Sequence, residues 1–142
     1  ESYHSYKEDV DLAFRMLSHG LKTRVLLDVV AYHDRAGAGP KGMDDQSALE
    51  SKKKQSEWVK YHSYKNHLMT LYKNEYWQNF TLDFFPILCY ELKKFGYFLL
   101  FDRKVLKGWR EIWKMKKELK KKRKEIISKR KVNWKEIRQW WK

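Results

Sequence analysis

The chain has 142 residues, of which 32 are Lys or Arg and 18 are Asp or Glu, for a formal charge of +14. That length fits one small domain or a piece of a larger one, and a content of 42% hydrophobic and 16% aromatic residues excludes disorder throughout. A lone cysteine, Cys89, excludes a disulfide scaffold; no run of about 18 uncharged apolar residues suggests an ordinary membrane span, and no basic n-region leads into an apolar signal-peptide core.

The excess charge is concentrated. Residues 102–142 hold 18 basic and 5 acidic side chains, whereas residues 1–101 hold 14 and 13. A near-neutral body with a cationic tail points to a polyanionic surface, either membrane lipid or nucleic acid, against the plainer reading of a solvated tail.

In chain order, Glu8 to His19 reads as a helix, because Val10, Ala13, Phe14 and Leu17 recur at i, i+3, i+4 and i+7. Glu8, Asp9 and Asp11 fall in its first turn, where carboxylates meet the positive end of the helix dipole. Gly20 suits the left-handed position that ends it. Residues 21–33, with Val25-Leu26-Leu27 and Val29-Val30-Ala31-Tyr32, are strand-like with a bend at Asp28. Three of the six glycines and Pro40 then mark residues 34–42 as a loop. A second helical region starts near Asp44 or Asp45. Its stronger part runs from Ser56 to Asn74, with Trp58, Tyr61, Leu68, Leu71 and Tyr72 on one face and Lys60, Lys65 and Lys73 mostly elsewhere.

Residues 80–101 are the most apolar, interrupted by Asp83, Glu91, Lys93 and Lys94 and broken in regularity by Pro86 and Gly96. Spanning a bilayer would place those charges in hydrocarbon at about 2.5–3.5 kcal/mol each near its centre, so a broken amphipathic pair of helices in the interface is expected. Residues 102–131 read as a long basic helix with a narrow apolar face that carries Trp109 and Trp113, intruded on by Lys116 and Arg123. The last segment adds Trp134, Trp140 and Trp141, whose indoles suit the headgroup region. Cys89, in apolar sequence, is expected to be a buried small hydrophobe rather than a nucleophile.

The run Tyr6-Lys7-Glu8-Asp9-Val10-Asp11-Leu12-Ala13-Phe14-Arg15, then Gly20, then Ala31-Tyr32-His33, resembles the end of the catalytic domain in inverting, family-two glycosyltransferases of the GT-A fold, in particular the rhamnosyltransferase-like branch. Tyr64-Lys65-Asn66-His67-Leu68 with Leu71-Tyr72-Lys73-Asn74 resembles the helix after that core, with Lys65 in place of the family's Arg. The resemblance covers about residues 3–75 by motif. It implies an α/β fragment, the C-terminal end of a GT-A core, followed by mostly α, amphipathic, membrane-associated helices. The divisions are 1–36 for the core end, 37–79 for a flexible loop and helix, and 80–142 for the basic helical tail.

In such an enzyme a sugar passes from a nucleotide-sugar donor to a hydroxyl of a cell-envelope or polyprenyl-linked glycan at the cytoplasmic face of the membrane. Inverting displacement needs a base for the acceptor hydroxyl and neutralisation of the leaving diphosphate. The resemblance assigns the base to Asp9, with Glu8 beside it; the competing reading is that these carboxylates only cap the helix. His33 would help to hold a divalent cation, Mn²⁺ or Mg²⁺, or else be an ordinary strand-end histidine. Arg15, Arg35 and Lys41 are candidates for substrate contact, Arg35 just before and Lys41 within the loop 36–42, which is able to close as a lid. Asp9-Val10-Asp11 is not the family's metal-binding Asp-x-Asp, which lies earlier, so the nucleotide-binding half is expected outside this chain. By itself the chain is then expected to turn over little or no nucleotide sugar. The alternative from the tail alone is a helical protein that binds nucleic acid or a membrane surface without catalysis.

Overall fold

The computed structural model describes residues 3, 5–24, 26–30, 32, 42 and 44–139. The regular elements are helices: α1 (Glu8–Ser18), α2 (Asp45–Lys54), α3 (Glu57–Asn74), α4 (Trp77–Leu82), α5 (Phe84–Phe101), a 3₁₀ turn at Arg103–Leu106, α6 (Lys107–Lys114), α7 (Lys116–Ser128) and α8 (Trp134–Arg138). Local chemistry sets most boundaries. The Asp44 carboxylate accepts from the Ser47 amide at 2.8 Å to start α2, and the Ser56 hydroxyl accepts from Val59 at 3.3 Å to start α3. Asn133 and Glu136 form a capping box on α8. At the end of α1, Gly20 takes φ +75°. The Gly20 and Leu21 amides then reach the Leu17 and Met16 carbonyls, each at 3.0 Å, in a Schellman closure.

The α/β expectation is overturned: among the described residues there is no strand and no sheet. The residues expected to be a strand are irregular where described, with a turn at Leu27–Asp28. Leu27 and Val30 are 88% and 78% exposed. β-branched composition favours a pleated surface only when a neighbouring strand accepts its hydrogen bonds, and none stands beside it among the described residues. The interrupted apolar region does form two helices, but the break is at Asp83. Pro86 lies in the first turn of α5, where its missing N–H has no helical partner to lose, and α5 runs through Gly96. The basic stretch divides into the 3₁₀ turn, α6 and α7.

α3 is the central element, packed against α1, α6, α7 and the 3₁₀ turn. Its buried residues are mostly polar, with Lys60, Lys65, Asn66, Thr70, Lys73 and Asn74 beside the apolar Tyr64 and Met69, while Trp58 and Tyr72 are exposed. The expectation that the lysines lie away from the packed face is therefore reversed. Lys60 pairs with Asp102 at 2.8 Å, Lys65 with Glu111 at 3.1 Å and Lys73 with Asp11 at 3.0 Å. Each binds α3 to a segment distant in sequence. Arg123 donates to the Tyr72 and Glu75 carbonyls and Arg130 to that of Asn74. Two cations of the basic tail thus sit on the negative end of α3. The apolar core is small: Tyr64, Phe98 and Val105, with Leu68, Tyr97 and Leu106 against it. Gly108 lets α6 approach α3 closely, since a Cβ there would meet the Lys65 Cβ at 3.2 Å.

Candidate functional site

The two segments that carry the family resemblance meet in space. Just before α1, Tyr6 and Lys7 both adopt left-handed backbone, at φ 68° and 69°. Neither is glycine, and such conformations cost about 1–2 kcal/mol each. The fully buried Asn66 side chain of α3 offsets that cost, donating to the Ser5 carbonyl at 2.7 Å and the Tyr6 carbonyl at 2.8 Å. The Tyr6 ring meets Trp58 edge-on at 5.8 Å, and the Tyr3 hydroxyl shares a 2.8 Å hydrogen bond with Thr70. This turn aims the start of α1 outward. Glu8 and Asp9 are both exposed, and an Asp9 oxygen accepts from the Val10 amide at 2.8 Å.

Asp11, two residues on, points the other way and is 1% exposed. One of its oxygens takes Lys73 at 3.0 Å and Asn74 at 2.6 Å; the other takes Arg15 at 3.1 Å. Asp11 therefore joins α1 to α3, and Arg15, expected to meet substrate, has its Nε on that carboxylate. Arg15 also lines a small cleft of about 160 Å³ with Lys73 and Lys122.

His33, Arg35 and Lys41 lie outside the described residues, as do Trp140 and Trp141, so the expected juxtaposition of Asp9 with His33 has no geometry here. Among the described residues no group of three or more His, Cys, Asp or Glu side chains converges as a cation site requires. Asp11, the nearest acid to Glu8 and Asp9 in sequence, is already paired. With His33 outside the described residues, no divalent cation enters the chemistry below.

The second candidate surface is apolar. α5 has only Phe98 buried, and Phe85, Leu100 and Phe101 are more than 70% exposed. Trp77 and Leu82 of α4 are exposed, as are Trp109 and Trp113 of α6, while Trp134 is half-buried at the start of α8. Cys89 is exposed on α5, contrary to its expected burial. No helix among the described residues is long and apolar enough to cross a membrane. Exposed apolar side chains in this number mark a membrane or partner contact. The indoles are not all segregated from the cations: the Lys116 ammonium sits 4.1 Å from the Trp113 ring centroid.

A third feature was not legible in the sequence. α2, α3, α5 and the turn before α1 enclose a cavity of about 370 Å³ lined in part by Lys7, Lys52 and Lys94. His67 pairs with Glu91 at 2.8 Å beside it. Burial opposes ionisation of Glu91, yet hydrogen bonds from His67 and Lys94 hold its carboxyl below the usual range. The three lysines are 42 residues or more apart in sequence and belong to three segments, so only the packing of the helices brings them together.

No family model, curated protein or solved structure matches this chain.

Proposed function

We propose that the chain is the acceptor-side, membrane-docking helical part of an inverting glycosyltransferase of the family-two type. It serves transfer from a nucleotide-sugar donor to a hydroxyl of a cell-envelope or polyprenyl-linked glycan, at the cytoplasmic face of the membrane. One observation carries the reading. The two resemblance motifs, about 60 residues apart, pack as a unit through Asn66 and Asp11, and this unit leaves Asp9 exposed in the first turn of α1, directly after the strained Tyr6–Lys7 backbone. Strain of that kind collects at sites where geometry matters more than stability.

Asp9 is the general base. Its carboxylate takes the proton of the acceptor hydroxyl as that oxygen attacks the anomeric carbon and the nucleoside diphosphate departs. Glu8 stands beside it to orient the acceptor. The exposed face of α4, α5 and α6 lies at the acyl boundary while the lysines of α7 meet anionic headgroups, each worth about 1 kcal/mol near the surface. The acceptor then reaches the base without leaving the membrane surface.

The test is transfer from labelled nucleotide sugars to membrane-extracted acceptors by the product of the full reading frame. Asp9→Asn lowers the rate by about 10²–10⁴-fold with no loss of thermal stability, because the side chain is exposed. Unchanged transfer in Asp9→Asn overturns the assignment. The Lys116–Trp113 stack favours one second reading, single-stranded nucleic acid on the tail. A gel shift at physiological salt that is lost in Trp113→Ala would support it.

A further inference from the structure

The cavity between α2, α3 and α5 has a composition that the transfer reading does not use. Lys7 enters from the strained turn, Lys52 from α2 and Lys94 from α5, while Leu49, Tyr97 and Phe98 give it an apolar wall. Lys94 is matched by Glu91 at 3.4 Å, and Lys93 at the rim by Asp45 at 2.7 Å. Lys7 and Lys52 have no carboxylate within ion-pair distance among the described residues, and Lys52 reaches only the Gln55 side-chain oxygen, at 3.3 Å. Burial pushes the Lys52 ammonium below its ordinary value, and repulsion from Lys7 and Lys60 adds to the effect. Burial likewise brings Lys94 down to about 8, against the pull of Glu91 and with repulsion from Lys52 and Lys7. Partly buried cations that repel one another are costly unless an anion sits among them.

We propose that this cavity binds a phosphate-bearing amphiphile, with its phosphoryl oxygens among Lys7, Lys52 and Lys94 and its apolar body along Leu49, Tyr97 and Phe98. At about 370 Å³ the cavity falls within the range of small-molecule sites and exceeds what a bare phosphate fills. Ammonium groups bind phosphate as point charges through charge-assisted hydrogen bonds. In the transfer reading, on which this last link rests, the bound group is the phosphate of a lipid-linked acceptor. Binding itself needs no sugar nucleotide and no general base.

The experiment is calorimetric titration of the full chain at neutral pH with inorganic diphosphate, geranyl diphosphate, geraniol and dihexanoyl phosphatidic acid. Geranyl diphosphate binds about tenfold or more tighter than inorganic diphosphate, the amphiphile gaining from its apolar body, and geraniol does not bind. Tighter binding of phosphatidic acid instead identifies the source as bilayer lipid rather than an isoprenoid. Lys52→Gln with Lys94→Gln weakens the amphiphile about tenfold or more, whereas Lys53→Gln with Lys54→Gln, the same charge change on the exposed side of α2, leaves it within about twofold. Without ligand the cavity variant still unfolds cooperatively, although it gives up the Lys94–Glu91 ion pair. Should that double variant fail to fold, Lys7→Gln, outside any helix, gives the binding comparison independently, and unchanged amphiphile binding there overturns the site. Equal weakening in both double variants, or no binding of either amphiphile, also overturns the site. Amphiphile binding with unchanged transfer in Asp9→Asn marks failure of the catalytic assignment alone, whereas loss of transfer in Asp9→Asn with no amphiphile binding marks failure of this site alone.

Discussion

Asp9 and Asp11 carry the same functional group two residues apart, yet their surroundings give them opposite expected phenotypes. Asp9 is exposed, so its amide variant alters chemistry alone. Asp11 is buried against Lys73, Arg15 and Asn74. Asp11→Ala therefore takes a carboxylate away from the buried Lys73 ammonium and costs about 3–5 kcal/mol, read from urea unfolding. A cost under about 1 kcal/mol would mean that water reaches the pair. Asn66→Ala orphans two carbonyls and releases the turn at Tyr6 and Lys7, at a cost of about 1–3 kcal/mol in the same assay. Lys7→Gly in the Asn66→Ala background recovers part of that loss, because glycine takes φ 69° without steric penalty. Sequence alone singled out Asn66 as part of a motif; that it clamps a left-handed turn 60 residues away requires the fold.

At the scale of elements, helix ends were legible because each is set by contacts only a few residues apart. Ser56, Asp44 and Gly20 act within their own turns, and the structure starts or ends helices where they stand. Residues 21–30 were misread because strand propensity reports on a side chain's fit to a sheet, and pairing is a property of two segments. α3 was misread for a related reason. Periodicity puts Lys60, Lys65 and Lys73 mostly off the aromatic face, but does not show that Asp102, Glu111 and Asp11 await them. Gly108→Ala tests this packing: helix propensity favours alanine by about 1 kcal/mol, but the added carbon presses on Lys65, so the variant melts lower. A higher melting temperature would show that α6 can slide.

Lys94 of α5 adds a pH dependence. Folded, it titrates near 8, against an ordinary value of 10.5. Between those values the unfolded chain holds the proton more tightly, so the protein grows more stable as pH rises through 8 toward about 9.5, short of the tyrosines. Lys94→Gln flattens that slope; an unchanged slope would assign it elsewhere. Tyr64, His67, Tyr90, Glu91, Lys52 and Lys7 are the ionisable groups facing it.

For the molecule as a whole, buried polar groups outnumber buried apolar ones among the described residues, and many large apolar side chains are exposed. Vesicles of anionic lipid should bind the chain with an affinity that falls as salt rises, since the lysines of α7 act through water within a Debye length of about 8–10 Å. Equal binding to neutral vesicles would remove the electrostatic part of the proposal. The same exterior governs how the chain behaves when no bilayer is present. In dilute buffer its +14 charge keeps copies apart. Each increment of electrolyte shortens the reach of that repulsion, while leaving the attraction between the phenylalanine-rich flanks of α5 intact. Such a polypeptide should cloud on moderate salting rather than dissolve, and clear again with mild detergent, a behaviour that static light scattering records directly.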